Sequence, residues 1–377
     1  AGFGGIMNVQ EAVANIMGMK DLKTIGQNTP LSELSMDSMM AVDIKQTLKR
    51  EFDIFLTAQD IRKLTFAKLK DMADKDERFA EDTNDIVDSE GGKLFIRLIS
   101  NLDIKSDICL EMPTKQETER NRIFLLPGIK GCGSIYNSLA LEIKAPATCL
   151  QHGTNNISTC ESVVQSAATL LLHILTRLKD FEEFTIVGYS YGSLIAIELM
   201  RLLEAKSLRG QLILIDGAPD QMKALKEQYF PFINIDEFQN NILLGLTDLF
   251  STLDSTMILI ELSKYKTWEE KLNAFIEYIL TISTQLPFVE NYKIYYTTIY
   301  KHLMALQEYD ASLLPPLKSS IVLLKPTFAS LSSAEEDYGL SMVAEGRVQV
   351  HYIEGSHITM IENNEVADVI NGDVVLS

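Results

Sequence analysis

The pattern Gly188-Tyr189-Ser190-Tyr191-Gly192 lies between an apolar run, Phe184 to Gly188, and an apolar helical pattern, Ser193 to Leu203. That context makes it informative, because a serine on a sharp strand-to-helix turn needs small residues two positions before and after it to let strand and helix approach. Ser190 is therefore the candidate nucleophile. The backbone N–H of Tyr191, at the same helix N-terminus, can face the oxyanion that develops when a carbonyl is attacked. A second donor is expected from the loop Pro127-Gly128-Ile129-Lys130-Gly131, and is assigned to the main chain of Ile129.

A serine hydroxyl needs a general base, and the chain offers His152, His173, His302, His351 and His357. His173 sits in a helical pattern among leucines, His302 in a long helical region, and His351 within a short apolar strand. His152 precedes the serine, whereas on a strand–turn–helix scaffold of this kind the usual order is serine, acid, histidine. His357 follows the last strand in the loop Glu354-Gly355-Ser356-His357 and can reach back over the sheet edge, so it is the candidate base. For the orienting carboxylate, Asp216 ends the run Leu212 to Ile215 and emerges at the carboxyl edge of the sheet. Asp310 and Asp337 stay in reserve, since spacing alone does not choose among them.

These residues have to be held by a scaffold, and the apolar patterning describes one. Short apolar runs at Arg122–Leu126, Thr148–Leu150, Phe184–Gly188, Gln211–Ile215, Ile321–Leu324 and Gln349–Ile353 alternate with helical patterns such as Ser162–Lys179. Strands alternating with helices read as a mostly parallel sheet covered on both faces. Residues 218–316 interrupt that rhythm with helical character, Trp268 and eight of the thirteen tyrosines, and read as a helical subdomain over the active face.

The first seventy-five residues follow a different pattern. Val9, Val13, Ile16 and Met17 recur at helix spacing, and Asp37 is an N-cap candidate for a helix from Ser38 to about Phe52, with Met39, Val42 and Leu48 among its apolar positions. Thr57 and Thr65 could cap two further short helices. Residues 1–75 balance ten acidic against ten basic side chains, but 76–90 carry seven acidic and one basic and lead into Gly91-Gly92. Such a stretch repels itself and buries little, which reads as a linker. The chain is thus expected to divide into 1–75, an acidic linker and lead-in over 76–118, and a larger domain over 119–377.

With 46% hydrophobic and 23% charged residues the chain can bury a sizeable core. A formal charge of -18 disfavours nucleic acid and anionic lipid as partners. Four cysteines without short paired spacing exclude a disulfide scaffold and a zinc site, and fit a reducing, cytoplasmic setting. No apolar run is long enough for a spanning helix, so no stable membrane insertion is expected.

On Gly188-Tyr189-Ser190-Tyr191-Gly192, Ile215-Asp216-Gly217 and Gly355-Ser356-His357, residues from about 93 onward resemble the thioesterase domain that ends animal multifunctional fatty acid synthases. The resemblance implies an α/β-hydrolase fold with a large helical insertion whose apolar groove receives a long acyl chain. It also implies an early acid at Asp216 and hydrolysis of a long-chain acyl thioester. Residues 6–75 resemble the acyl carrier domain that precedes that thioesterase, a small bundle of four helices. The match centres on Leu34-Ser35-Met36-Asp37-Ser38-Met39-Met40, and makes Ser38 the attachment point of 4'-phosphopantetheine. The partners so implied are a phosphopantetheinyl transferase, upstream synthase domains, contact between carrier and thioesterase in the same chain, and homodimerisation only as a full synthase. A cyclising or acyl-transferring thioesterase of a polyketide or peptide assembly line is the alternative.

Overall fold

The computed structural model describes residues 8–19, 26–70 other than 35, 37, 53, 55 and 57, 107–153, 161–178, 183–248, 255–282, 289–328 and 335–374. Asp37, Thr57 and residues 71–106, which include the acidic stretch 76–90, lie outside the described residues. The chain divides into two compact units, Ala1–Lys93 and Leu94–Ser377.

The first unit is helical. Helix α1 (Val9–Ile16) opens on Asn8, whose side chain accepts from Glu11 N at 2.8 Å while the Glu11 carboxylate accepts from Asn8 N at 3.2 Å. This reciprocal pair satisfies two amides that a helix start leaves open. Helix α2 spans Ser38–Phe52, α3 spans Ala58–Lys63, and a further helical turn covers residues 66–70. Val9, Val13, Leu31, Ile44, Leu48, Ile61, Leu64 and Phe66 form its core. Val42 was expected among the apolar positions of α2 and is instead 44% exposed. The buried stripe runs through Ala41, Ile44 and Leu48, at spacings of three and four, and Val42 falls one position outside it.

Among the described residues the second unit is built on one seven-stranded sheet. The strands are β1 (Cys109–Glu111), β2 (Asn121–Leu126), β3 (Ala147–Leu150), β4 (Glu183–Tyr189), β5 (Gln211–Ile215), β6 (Ile321–Phe328) and β7 (Val348–Ser356). Their order is β1-β3-β2-β4-β5-β6-β7, all parallel except β1, which pairs antiparallel with β3. β1 falls in the stretch assigned from sequence to the lead-in, where three residues are too few to show a period.

The buried runs of the parallel strands follow from burial on both faces. On one side α5 (Val163–Leu175) and α6 (Gly192–Glu204) pack through Leu170, Ile174, Leu194 and Ile197 against Phe124, Ile186 and Leu212. On the other, α4 (Asn137–Ala140) and α12 (Asn364–Asn371) bury Leu139, Val366 and Ile370 against Ile123, Leu125 and Val322. Between β5 and β6 five helices intervene among the described residues: α7 (Pro219–Tyr229), α8 (Ile235–Asp248), α9 (Ser255–Leu262), α10 (Trp268–Ile282) and α11 (Val289–Glu308). The last four share a core of Phe238, Ile242, Phe275, Tyr296 and Ile299, into which Ile129 and Cys132 also pack, while α7 packs Met222 against the sheet's own core. At the exit from this insertion the Tyr309 hydroxyl donates to Glu198 on α6. Arg201 donates to Glu198 at 2.8 Å and to the Ala311 carbonyl at 3.2 Å.

Candidate active site

Strand register sets the geometry. Tyr189 pairs with Ile215 and Leu324 with Ile215 and His351, so β4, β5, β6 and β7 end along one edge of the sheet. Ser190, Asp216 and His357 each follow directly on one of those ends.

Ser190 occupies the left-handed region with φ 54°, a conformation that costs a non-glycine residue free energy, and its amide donates to Ile215 O at 3.0 Å. The turn requires its glycines. A Cβ on Gly188 would lie 2.6 Å from Ser193 Cα, and one on Gly192 would lie 2.2 Å from the Pro127 carbonyl oxygen. Gly217 belongs to the same contact, since a Cβ there would meet Ser190 O at 2.4 Å. Two parallel strand ends and a helix start therefore converge on the Ser190 backbone.

His357 Nε2 is 3.0 Å from Ser190 Oγ, and its Nδ1 is 2.6 Å from Asp216 Oδ2. A carboxylate only accepts, so the Nδ1 proton lies toward Asp216 and the Nε2 lone pair faces the Ser190 hydroxyl. Asp216 is 2% exposed and also sits at positive φ, 43°, with its amide held by Leu324 O at 2.8 Å. Its second oxygen, Oδ1, accepts from Tyr338 Oη at 2.8 Å and Gln221 Nε2 at 3.0 Å. Burial, and then the Asp216 charge, push the Tyr338 hydroxyl well above its ordinary range, so it remains a donor. The imidazole of His357 is flanked by Tyr189, whose ring stacks on it at 5.3 Å and whose hydroxyl donates to the His357 carbonyl at 2.8 Å.

The two reserve carboxylates are engaged elsewhere. Asp310 accepts from the amide and hydroxyl of Ser312, and Asp337 from the amides of Gly339 and Ser341. His351 meets Glu365 at 2.8 Å.

Tyr191 begins the turn into α6 and is buried. Gly128 lies against Ser190, because a Cβ there would fall 3.7 Å from Ser190 Cβ, and Ile129 follows it in the loop after β2. Sequence reasoning missed Tyr338 and Gln221, which carry no motif of their own, and set aside His152 and His302. Both histidines are buried beside Tyr191, with ring centroids 5.7 and 4.6 Å from it. Among the described residues no group of His, Cys, Asp and Glu could hold a metal ion.

In the first unit Ser38 is the first residue of α2, a helix of fifteen residues. The amides of a first turn have no intrahelical acceptor and can meet a phosphate, so this position fits a phosphopantetheine linkage.

A sheet of this topology with a serine, histidine and aspartate at its carboxyl edge defines a serine hydrolase. The chain belongs to the thioesterase domain family, whose model matches residues 121–373, and a phosphopantetheine attachment site model matches residues 8–75. A carrier domain is thus linked to a thioesterase domain. Among solved structures, a four-domain nonribosomal peptide synthetase, holo-AB3403 bound to AMP and glycine, is similar over 100% of this chain at 15% identity and TM-score 0.55. This chain spans 27% of that synthetase. A variant of YbtT, the type II thioesterase from the yersiniabactin NRPS/PKS pathway, is similar over 71% of this chain and 97% of its own length, at 16% identity and TM-score 0.50.

These findings correct the resemblance to an animal fatty acid synthase. The similar structures come from peptide and polyketide assembly lines. The glycine-flanked serine and histidine loop that carried the resemblance are required by serine acyl transfer on this fold generally. The reading as a fatty acyl thioesterase of a fatty acid synthase, and its place in fatty acid biosynthesis, therefore fall. The long-chain substrate and the synthase homodimer lose their basis with it. No helix among the described residues is long and apolar enough to cross a membrane.

Proposed function

We propose that the chain is the carrier and releasing thioesterase of a polyketide or peptide assembly line, in which Ser190 takes the acyl group from a carrier thioester and passes it on. The observation that carries this reading is the hydrogen-bonded series Ser190, His357, Asp216 in a chain that also contains a phosphopantetheine attachment domain. When bound at Ser38, phosphopantetheine supplies a long flexible thiol that presents the acyl group as a thioester and raises its effective concentration at a tethered site.

His357 Nε2 accepts the hydroxyl proton as Ser190 Oγ attacks the thioester carbonyl. Asp216 stabilises the imidazolium so formed and holds its orientation. The main-chain N–H groups of Tyr191 and Ile129 receive the oxyanion. Collapse breaks the carbon–sulfur bond, His357 returns the proton to the departing thiolate, and an ester remains on Ser190. The same imidazole then removes a proton from the acceptor, water or a substrate hydroxyl or amine, and returns it to Ser190 Oγ as the acceptor displaces it.

Peptide-level mass analysis of the holo protein, loaded through Ser38 with an acyl pantetheine, tests the reading. Acyl mass should pass from the Ser38 peptide to the Ser190 peptide in the parent and stay on the Ser38 peptide in an S190A variant. A free acid identifies water as acceptor, and a lactone or transferred ester identifies a hydroxyl. Persistence of the carrier thioester in the parent, at the rate seen in S190A, refutes the proposal.

A further inference from the structure

Two buried histidines outside the Ser190 series engage the loop after β2. His152, which follows β3 and is fully buried, places Nε2 2.6 Å from the Pro127 carbonyl oxygen. His302, on α11 of the insertion and 3% exposed, places Nδ1 2.5 Å from the Ile129 carbonyl oxygen. A carbonyl only accepts, so each ring nitrogen carries a proton and donates. Their rings lie 5.0 Å apart, and His302 stacks on Tyr191 with centroids 4.6 Å apart. Burial, reinforced by the neighbouring His302, lowers the pKa of His152 to about 3, and burial lowers that of His302 to about 4. Both rings are accordingly uncharged near neutral pH.

The contacts fall on alternate peptides. The carbonyl between them, Gly128 O, accepts from Gly131 N at 2.8 Å, so the carbonyls of Pro127, Gly128 and Ile129 are all tied down. A trans peptide is planar, with its N–H directed opposite its C=O. Fixing these carbonyls therefore fixes the amides of Gly128, Ile129 and Lys130. That loop borders the nucleophile on one side through Gly128 and, through Ile129, the core of the insertion on the other.

We propose that His152 and His302 are positioning residues for the oxyanion of acyl transfer. By holding the carbonyls of Pro127 and Ile129, they fix the peptides on either side of the Gly128–Ile129 peptide and so keep the Ile129 amide directed at the carbonyl that Ser190 attacks. Because His302 belongs to the insertion, the helical subdomain also takes part in setting the geometry of the anion site. This inference rests on the acyl-transfer reading of Ser190.

The test is single-turnover acylation of Ser190 by a soluble acyl thioester, with rate and half-saturation measured separately. His302→Phe retains an aromatic ring beside Tyr191 but has no donor, whereas His302→Asn places an amide N–H near the position of Nδ1. Loss of one oxyanion donor costs on the order of 10²–10³-fold, so a donor left in place but misdirected should cost roughly 30-fold or more. H302F should show that loss in rate, with half-saturation changed by less than about threefold, and H302N should recover most of it. His152→Leu and His152→Gln form a second pair with the same expectation, and carry the comparison should H302F not fold. Equal rates for the donor-free and amide variants overturn the inference, as does a loss confined to half-saturation. A parent protein that never acquires acyl mass at Ser190 overturns the acyl-transfer reading itself. A parent that acylates normally, matched by H302F, overturns only the role of the histidines.

Discussion

Replacing Asp216 by Asn should remove more than a charge, because the surroundings dictate which way the new amide points. Oδ1 receives two donors, Tyr338 Oη and Gln221 Nε2, while Oδ2 faces His357 Nδ1. In D216N the carbonyl oxygen has to take the Oδ1 position, since an NH₂ group there would oppose two donors. The NH₂ group is then directed at His357 Nδ1, which must accept from it. That forces the imidazole proton onto Nε2, facing Ser190, and leaves no lone pair for the hydroxyl proton. A wrong tautomer in such an arrangement lowers turnover by roughly 10⁴-fold. We expect a loss of about 10³–10⁴-fold in single-turnover acylation, equivalent to about 4–5 kcal/mol of barrier. D337N should stay within about tenfold of the parent, because Asp337 serves the amides of Gly339 and Ser341. The assay is acylation by an acyl thioester followed by intact mass, with thermal transitions measured alongside. Acylation by folded D216N within tenfold of the parent would refute the tautomer reasoning, and collapse of D337N with D216N active would move the acid to the later strand.

Ser38→Ala should abolish incorporation of phosphopantetheine by a transferase while hydrolysis of a soluble acyl-coenzyme A continues unchanged; incorporation into S38A would place the arm elsewhere. Gly192→Ala sets a methyl 2.2 Å from the Pro127 carbonyl and should destabilise the protein by about 1–3 kcal/mol or prevent folding, read as a lowered thermal midpoint. His302 has its folded pKa depressed from 6.5 to about 4, so from pH ~6.5 down to ~4 the unfolded chain binds more protons there and stability falls with pH. The parent should therefore lose thermal stability relative to H302N over that interval, and parallel curves for the two proteins would contradict it.

Legibility from sequence followed the strictness of the local physical demand. Gly188 and Gly192 were readable because any side chain there collides with Ser193 or Pro127, so the spacing has little freedom. The parallel strands were readable because burial on both faces makes them continuous apolar runs, whereas β1 is three residues long, two of them partly buried and one exposed. The extent of α2 was legible but its buried face was not fully so, since Val42 lies beside the stripe and only packing separates the two. Tyr338 and Gln221 serve Asp216 from sites fixed by the tertiary fold, and no local pattern marks them. His152 was set aside on chain order, which governs the proton-transferring histidine but says nothing of one that holds a loop. The motif that identified serine chemistry was also too general to choose among assembly lines.

The insertion between β5 and β6 bears on how freely this scaffold can change. Closing a loop of about a hundred residues rather than about ten adds only ~2 kcal/mol of lost chain entropy, because the penalty rises with the logarithm of length. Part of that is offset here, since the helices bury a core of their own around Phe238, Phe275 and Tyr296. Gln221 near the entry bonds Asp216, and Tyr309 near the exit bonds Glu198. Lengthening or shortening the stretch between those two anchors leaves the register of β5 and β6 untouched, so the insertion can be rebuilt during evolution without redesign of the sheet. His302 limits that freedom: a segment that keeps its hydrogen bond to Ile129 can vary elsewhere, and one that loses it must supply another donor at the same point.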